Sequence, residues 1–183
     1  SLWPRKAMRM TYIENHDSNA WEGTMEEDYG PALEAMTALS FTGEGLPLIH
    51  NGMEACNARR LEFFEKDPID WSGRENCNYG TLLHNLIAFR KANPALANGE
   101  WGARMHKLET DRPEQVFAWT RQADGNRVVG LFNFSGSAVN GTPTSALADG
   151  SYDAFGRDKH VTIKQGSAIA LSAWGYLLLS SSD

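Results

Sequence analysis

Met10-Thr11-Tyr12-Ile13-Glu14-Asn15-His16-Asp17 is the stretch on which the fold turns. From Met8 to Ile13, bulky side chains alternate with small or polar ones, the pattern of a short β-strand. The run then stops at four polar residues, each able to hold a substrate. A strand that ends in carboxylates and a histidine matches the place where parallel α/β barrels keep their chemistry. Few residues precede the run, so it reads as the back part of something larger.

Working outward, residues 18–29 read as a loop carrying Trp21, Glu22, Glu26, Glu27, Asp28 and Tyr29. The acidic members read as a solvated face. Pro31 suits the first turn of a helix. Leu33, Met36, Thr37 and Ser40 keep helical spacing, and Gly43 ends it. Leu46 to His50 is a second short strand, and Asn51-Gly52 turns the chain. A long polar and aromatic loop covers 53–73. Glu75 to Ala92 repeats Tyr79, Leu82, Leu83, Leu86, Ile87 and Arg90 at intervals of three and four, which predicts a helix. Asn93-Pro94 stops it. Strand, helix, strand, helix implies a parallel sheet.

From residue 103 the texture changes to short strands over 105–110, 115–121, 127–134, 160–163, 169–171 and 175–179. Asp124-Gly125 is a hairpin signal. Such strands with close turns predict an antiparallel sandwich. Phe117, Trp119, Phe132, Phe134, Trp174 and Tyr176 alternate as core residues would. Ser180–Asp183 reads as a frayed end.

The 183 residues carry a net charge of −6 with scattered Lys and Arg, which argues against a nucleic-acid partner. No apolar run is long enough to span a membrane. Cys56 and Cys77 lack metal-type spacing and read as two free thiols, with a disulfide as the alternative in an oxidising compartment. His16, His50, Glu54 and Cys56 match no known metal-ligand spacing.

The Glu14-Asn15-His16-Asp17 tetrad resembles the α-amylase superfamily of glycoside hydrolases, family 13. Gly45-Leu46-Pro47-Leu48-Ile49-His50-Asn51-Gly52-Met53-Glu54 is similar to that family's last barrel strand, with His50 and Met53 where tyrosine and glutamine are usual. Phe63 to Trp71 resembles the loop that follows. Leu86 to Leu96 is similar to the last barrel helix, and the remainder to the C-terminal sandwich, down to Ala173-Trp174-Gly175-Tyr176. The resemblance implies a mixed fold, α/β plus all-β. Residues 3–102 would be an incomplete (β/α)8 barrel with its last two strands and helices, and residues 103–183 an antiparallel β-sandwich.

Retaining glycoside hydrolysis uses a nucleophilic carboxylate and a proton-donating carboxyl. The family places both on earlier strands, and no residue here matches either. These residues alone are therefore expected to be inactive, as part of an enzyme acting on α-glucans. By spacing alone Asp17 reads as a strand-end carboxylate capping a turn. The resemblance makes it the third carboxylate, which holds ring hydroxyls and favours the distorted sugar. His16 would donate to a hydroxyl of the same sugar. Asn15 is a candidate substrate contact, although positioning the neighbouring site residues suits it and Glu14 better. Trp21 and Tyr29 either stack on sugar rings or pack the loop. Phe63, Phe64, Ile69 and Trp71 are expected to lock their loop against the last helix and the sandwich.

No cofactor is expected in these residues, and calcium stays open for the whole enzyme. The resemblance also suggests a compartment outside the cytoplasm. A cut barrel exposes strand edges, so self-association through residues 8–52 is expected. The alternative function is a non-catalytic carbohydrate-binding or assembly module on the same fold. A third reading is a purely structural piece.

Overall fold

The computed structural model describes residues 3–182. It divides into two compact units: Arg9–Ala88, and the residues up to Met8 together with those from Phe89 onward.

The Arg9–Ala88 unit begins with β1 (Met10–Tyr12), shorter than the strand expected from alternation. Two short helices follow, α1 (His16–Trp21) and α2 (Met25–Tyr29). They replace the loop expected over 18–29. Each is held by a reciprocal capping box, Asn15 with Ser18 and Thr24 with Glu27. Such boxes satisfy backbone N–H groups that a short helix cannot satisfy internally. Helix α3 (Leu33–Thr42) ends at Gly43 as the spacing predicts. It leads to β2 (Leu46–Leu48), which pairs parallel with β1, Met10 opposite Leu46 and Tyr12 opposite Leu48. The parallel pairing inferred from the helix-linked strands is therefore present. Thr11 donates its hydroxyl to the Ser40 carbonyl at 2.9 Å, joining β1 to α3. Gly45 lies against the Arg9 carbonyl, 2.7 Å from where a Cβ would stand, so no larger residue fits.

Helix α4 (Asn78–Ala92) starts three residues later than its periodicity suggests, because Arg74–Asn76 form a 3-10 turn. Tyr79, on its first turn, shares a 2.7 Å hydroxyl contact with Thr37 of α3. Burial pushes the Tyr79 phenol up to about 12.

Cys56 and Cys77 form a disulfide, with Cα atoms 5.6 Å apart. This overturns the reading of two free thiols. Spacing along the chain is silent on a pairing that the fold creates by bringing the start of the 53–73 loop to the start of α4. A ring closed over a 21-residue separation contributes about 3 kcal/mol by restricting the unfolded chain.

The second unit is antiparallel. Its strands are β3 (His106–Leu108), β4 (Val116–Ala123), β5 (Asn126–Asn133), β6 (Val139–Gly141), β7 (Gly150–Ala154), β8 (His160–Ile163), β9 (Ile169–Leu171) and β10 (Tyr176–Ser182). Six of them form one sheet in the order β3-β4-β5-β10-β7-β8, and β6 pairs with β9. The β4–β5 hairpin turns at Asp124-Gly125, both at positive φ (52° and 74°), as the sequence signal requires. β6 and β7 are strands that composition did not reveal. Ser180 and Ser181 are not frayed, because they pair with Val128 and Arg127 of β5. Asp183 lies outside the described residues.

The aliphatic core joins Val116, Ala118, Val129, Leu131, Leu177 and Leu179 of the large sheet to Leu171 of β9, with Val139 and Ile169 packed on it. This is the sandwich. Trp119 and Phe132 are fully buried, as alternation implies. They belong to the other parity of their strands, and so to the opposite sheet face from that cluster. There the rings of Trp119, Phe134 and Tyr176 stack on Phe132 at 5.8–6.4 Å. Gly130 makes room, since a Cβ there would stand 2.4 Å from the Trp119 indole. Arg121, on the same face, donates to the carbonyls of Ala103 (2.9 Å) and Ala97 (3.0 Å), tying the 93–103 segment to the sheet.

Candidate functional site

The polar residues that end the first strand collect at the C-terminal end of the β1–β2 pair. Because these parallel strands run in register, Ile13–Asp17 and Ile49–Met53 leave the sheet at the same end.

Glu14 is the centre of the arrangement and is 2% exposed. One carboxylate oxygen contacts His50 Nδ1 at 2.8 Å. The other accepts from Asn19 Nδ2 (3.0 Å) and from the Met25 backbone N–H (3.1 Å). A buried carboxylate needs such donors, since a charge left unpaired in the interior is costly. Glu14 therefore joins β1, α1, α2 and the end of β2 at one point.

Asn19 extends the network to the long loop. Its amide also donates to the Arg59 carbonyl (3.1 Å), and its oxygen accepts from the Leu61 N–H (2.8 Å). Arg59 pairs with Asp67 at 2.7 Å, and that guanidinium holds the Asp67 carboxyl below the usual carboxylate range. Arg60 pairs with Glu27 at 3.0 Å. The Glu27 carboxyl is likewise lowered, chiefly by the Thr24 N–H and then by Arg60.

His16 and Asp17 occupy the first turn of α1. Their side chains are 75% and 61% exposed, and His16 Nε2 stands 3.8 Å from an Asp17 oxygen. Asn15 is the N-cap. Its oxygen accepts from the Asp17 and Ser18 N–H groups at 2.9 and 2.8 Å, so it fixes the turn that presents the pair. Trp21, at the end of α1, is exposed. Tyr29 is half-buried at the end of α2, and burial raises its phenol.

Phe63 and Phe64 depart from expectation. Phe64 is 82% exposed, and the ring contacts of Phe63 and Phe64 are with each other and with α1 instead of with the last helix. The two rings meet edge to face at 4.8 Å. Phe63 stacks on His16 at 5.9 Å and touches Trp21 at 5.4 Å, and Phe64 touches Trp21 at 6.2 Å. The loop thus lays an aromatic surface beside His16. It can do so because Asn19 and the Arg59–Asp67 pair hold its base.

Among the described residues, no group of three or more His, Cys, Asp or Glu side chains could hold a metal ion. Glu54, which matches the superfamily glutamate, accepts from the Gly52 N–H at 3.0 Å and closes the turn after β2. Gly52 needs φ = 100°, which explains a glycine there.

No family model matches the chain. It is 27% identical over 108 residues to Alpha-amylase 2 of Dictyoglomus thermophilum, covering 54% of this chain and 19% of that protein. It is 27% identical over 151 residues to the alpha-amylase of Niallia circulans, covering 79% of this chain and 26% of that protein. The maltogenic alpha-amylase AmyB from Thermotoga neapolitana matches 99% of this chain with 43% of its own, at a TM-score of 0.78 and 22% identity. The chain is thus similar in sequence to α-amylases and shares the fold of their C-terminal part. A Lactobacillus plantarum alpha-amylase shares the fold at a TM-score of 0.72 and 21% identity, over 98% of this chain and 40% of its own. The chain spans about a quarter or less of the curated α-amylases that it matches in sequence.

The structure brings Asn15, His16, Asp17 and Trp21 together on and around α1. It adds His50, Asn19, Phe63 and Phe64, none of which sequence reasoning assigned to the site. His50 carried the one usable signal, as a histidine where the superfamily pattern has tyrosine.

Proposed function

We propose that this chain supplies one side of an α-glucan-processing active site. Asp17 hydrogen-bonds ring hydroxyls of the sugar at the cleaved bond and favours its flattened, partly cationic form. Such contacts accelerate the reaction to the extent that they strengthen in the transition state. His16 donates to the same sugar, and Trp21 with Phe63 offers ring faces for stacking. Asn15 acts through its cap, holding the turn that carries the pair, with Tyr29 at the rim. The nucleophile and the acid/base come from residues outside these 183.

The observation that carries this reading is the exposure of Asp17 and His16 on a turn fixed from beneath by buried, fully bonded groups. The matched proteins include an α-amylase, a maltogenic α-amylase and a cyclomaltodextrin glucanotransferase, which supports an α-glucan. The disulfide supports an oxidising compartment.

A paired assay on soluble starch tests the proposal. We expect turnover by a longer protein that includes this chain together with the missing carboxylates, and none by the 183 residues alone. Activity in the purified chain would place all the carboxylates within it. Inactivity of both, with retained glucan binding, would favour the carbohydrate-binding module, a reading to which the exposed aromatic cluster lends weight.

Among the described residues β1 and β2 pair only with each other, and their outer edges suit a partner. Met10, Tyr12, Leu46 and Ile49 are exposed on or beside these strands, and such surfaces associate. The chain is therefore expected to self-associate through 8–52, with a mass above the monomer in light scattering that rises with concentration. A monomer throughout the range would remove this expectation.

A further inference from the structure

We infer that His50 is a substrate-contacting residue, its imidazole set by Glu14 so that Nε2 accepts a hydrogen bond from a glucan hydroxyl. The inference rests on the α-glucan reading above and deepens it.

Two contacts of Glu14 are with N–H donors, so its oxygens act as acceptors, and the third contact, to His50 Nδ1, calls for a donated proton. A neutral imidazole with its proton on Nδ1 has a lone pair on Nε2. The ring cannot turn freely without breaking the 2.8 Å contact, and the Met53 sulfur, 3.1 Å from the His50 backbone N–H, closes the turn behind it. The contact therefore sets the ring orientation before any ligand arrives and, in the neutral imidazole, the tautomer, as in carboxylate–histidine pairs that prepare a ring for work at its other nitrogen.

The second nitrogen has no protein partner among the described residues. Trp119 Nε1 is the one buried side-chain nitrogen or oxygen left without a partner among them, so His50 Nε2 is open rather than sealed. The side chain is 15% exposed against 2% for Glu14, a half-covered ring over a buried anchor. Its position also fits. His50 follows β2 by two residues, and Asp17 follows β1 by five, at the same end of the parallel pair.

The test uses the 183-residue chain, 15N-labelled at histidine, with maltotriose as the probe. Long-range proton–nitrogen spectra resolve the two ring nitrogens. Without sugar, His50 should show a protonated Nδ1 and an unprotonated Nε2. Maltotriose should shift His50 Nε2 together with the His16 ring, while Nδ1 keeps its proton. His50→Phe should weaken maltotriose about fivefold, the loss of one hydrogen bond. His50→Gln, which can still accept, should recover part of that loss. A shift at His16 with none at His50 would overturn this inference and leave the α-glucan reading standing. Shifts at neither, up to the solubility of the sugar, would overturn both. The wild-type spectra decide the matter even if a His50 variant fails to fold.

Discussion

Asp17→Asn, in a longer protein that contains this chain and turns over starch, should lower kcat by about 100-fold to 1000-fold while leaving the fold unchanged. Asparagine keeps the shape and can still hydrogen-bond, so the loss isolates the charge. That charge matters most when the sugar becomes partly cationic, so kcat should fall far more than KM rises. The fold should be indifferent because the Asp17 carboxylate is exposed and its one ion-pair neighbour among the described residues is His16 at 3.8 Å. The cap on α1 uses the Asp17 backbone N–H and survives the change. Starch kinetics and a circular dichroism spectrum check both halves. Near-normal turnover would remove Asp17 from the mechanism.

Glu14→Ala should destabilise the Arg9–Ala88 unit by about 3–5 kcal/mol, the range for stripping one partner from a buried ionic network. The truncation strands the Asn19 amide, the Met25 N–H and His50 Nδ1 around a void. Glu14→Gln should cost much less, about 1 kcal/mol. Its oxygen can keep the Asn19 and Met25 donors, and its amide can face a His50 ring whose proton has moved to Nε2. Urea denaturation of the three proteins measures the difference. Equal, small losses in both variants would show that Glu14 contributes packing alone. In the Gln variant the inverted His50 tautomer should also lose the acceptor proposed for maltotriose, so stability and binding part company.

The elements best read in advance were those whose pattern repeats. Leu33 to Ser40, and Tyr79 to Arg90, show helical periodicity, and Asp124-Gly125 specifies a hairpin by backbone conformation alone. The alternating aromatics Trp119 of β4 and Phe132 of β5 likewise announced a buried sheet. The helices α1 and α2 escaped because neither is long enough to show a period, although Thr24 and Glu27 spell a capping box. β6 and β7 escaped because Asn140, Gly141, Gly150 and Asp153 carry little strand character, and long-range pairing overrides weak propensity.

In the site, a strand ending in polar groups pointed to Asn15, His16 and Asp17. Nothing local could pair Glu14 with His50, or Phe63 with His16, since those contacts bridge 36 and 47 positions of chain. The disulfide was illegible for the same reason. The helix-linked strands implied the parallel pairing and the resemblance fixed the order of motifs, but the His50 substitution within it acquired meaning only beside Glu14.

The Phe63–Phe64 loop lies inside a covalent ring. A protease that clips the backbone anywhere between Cys56 and Cys77 therefore cannot divide the molecule: both pieces stay attached through sulfur, and the break shows on a gel only after reduction. An exposed aromatic surface next to a binding site is a natural target for such cutting. Here a nicked chain would keep its mass under non-reducing conditions, with the aromatic rings still tethered within reach of His16.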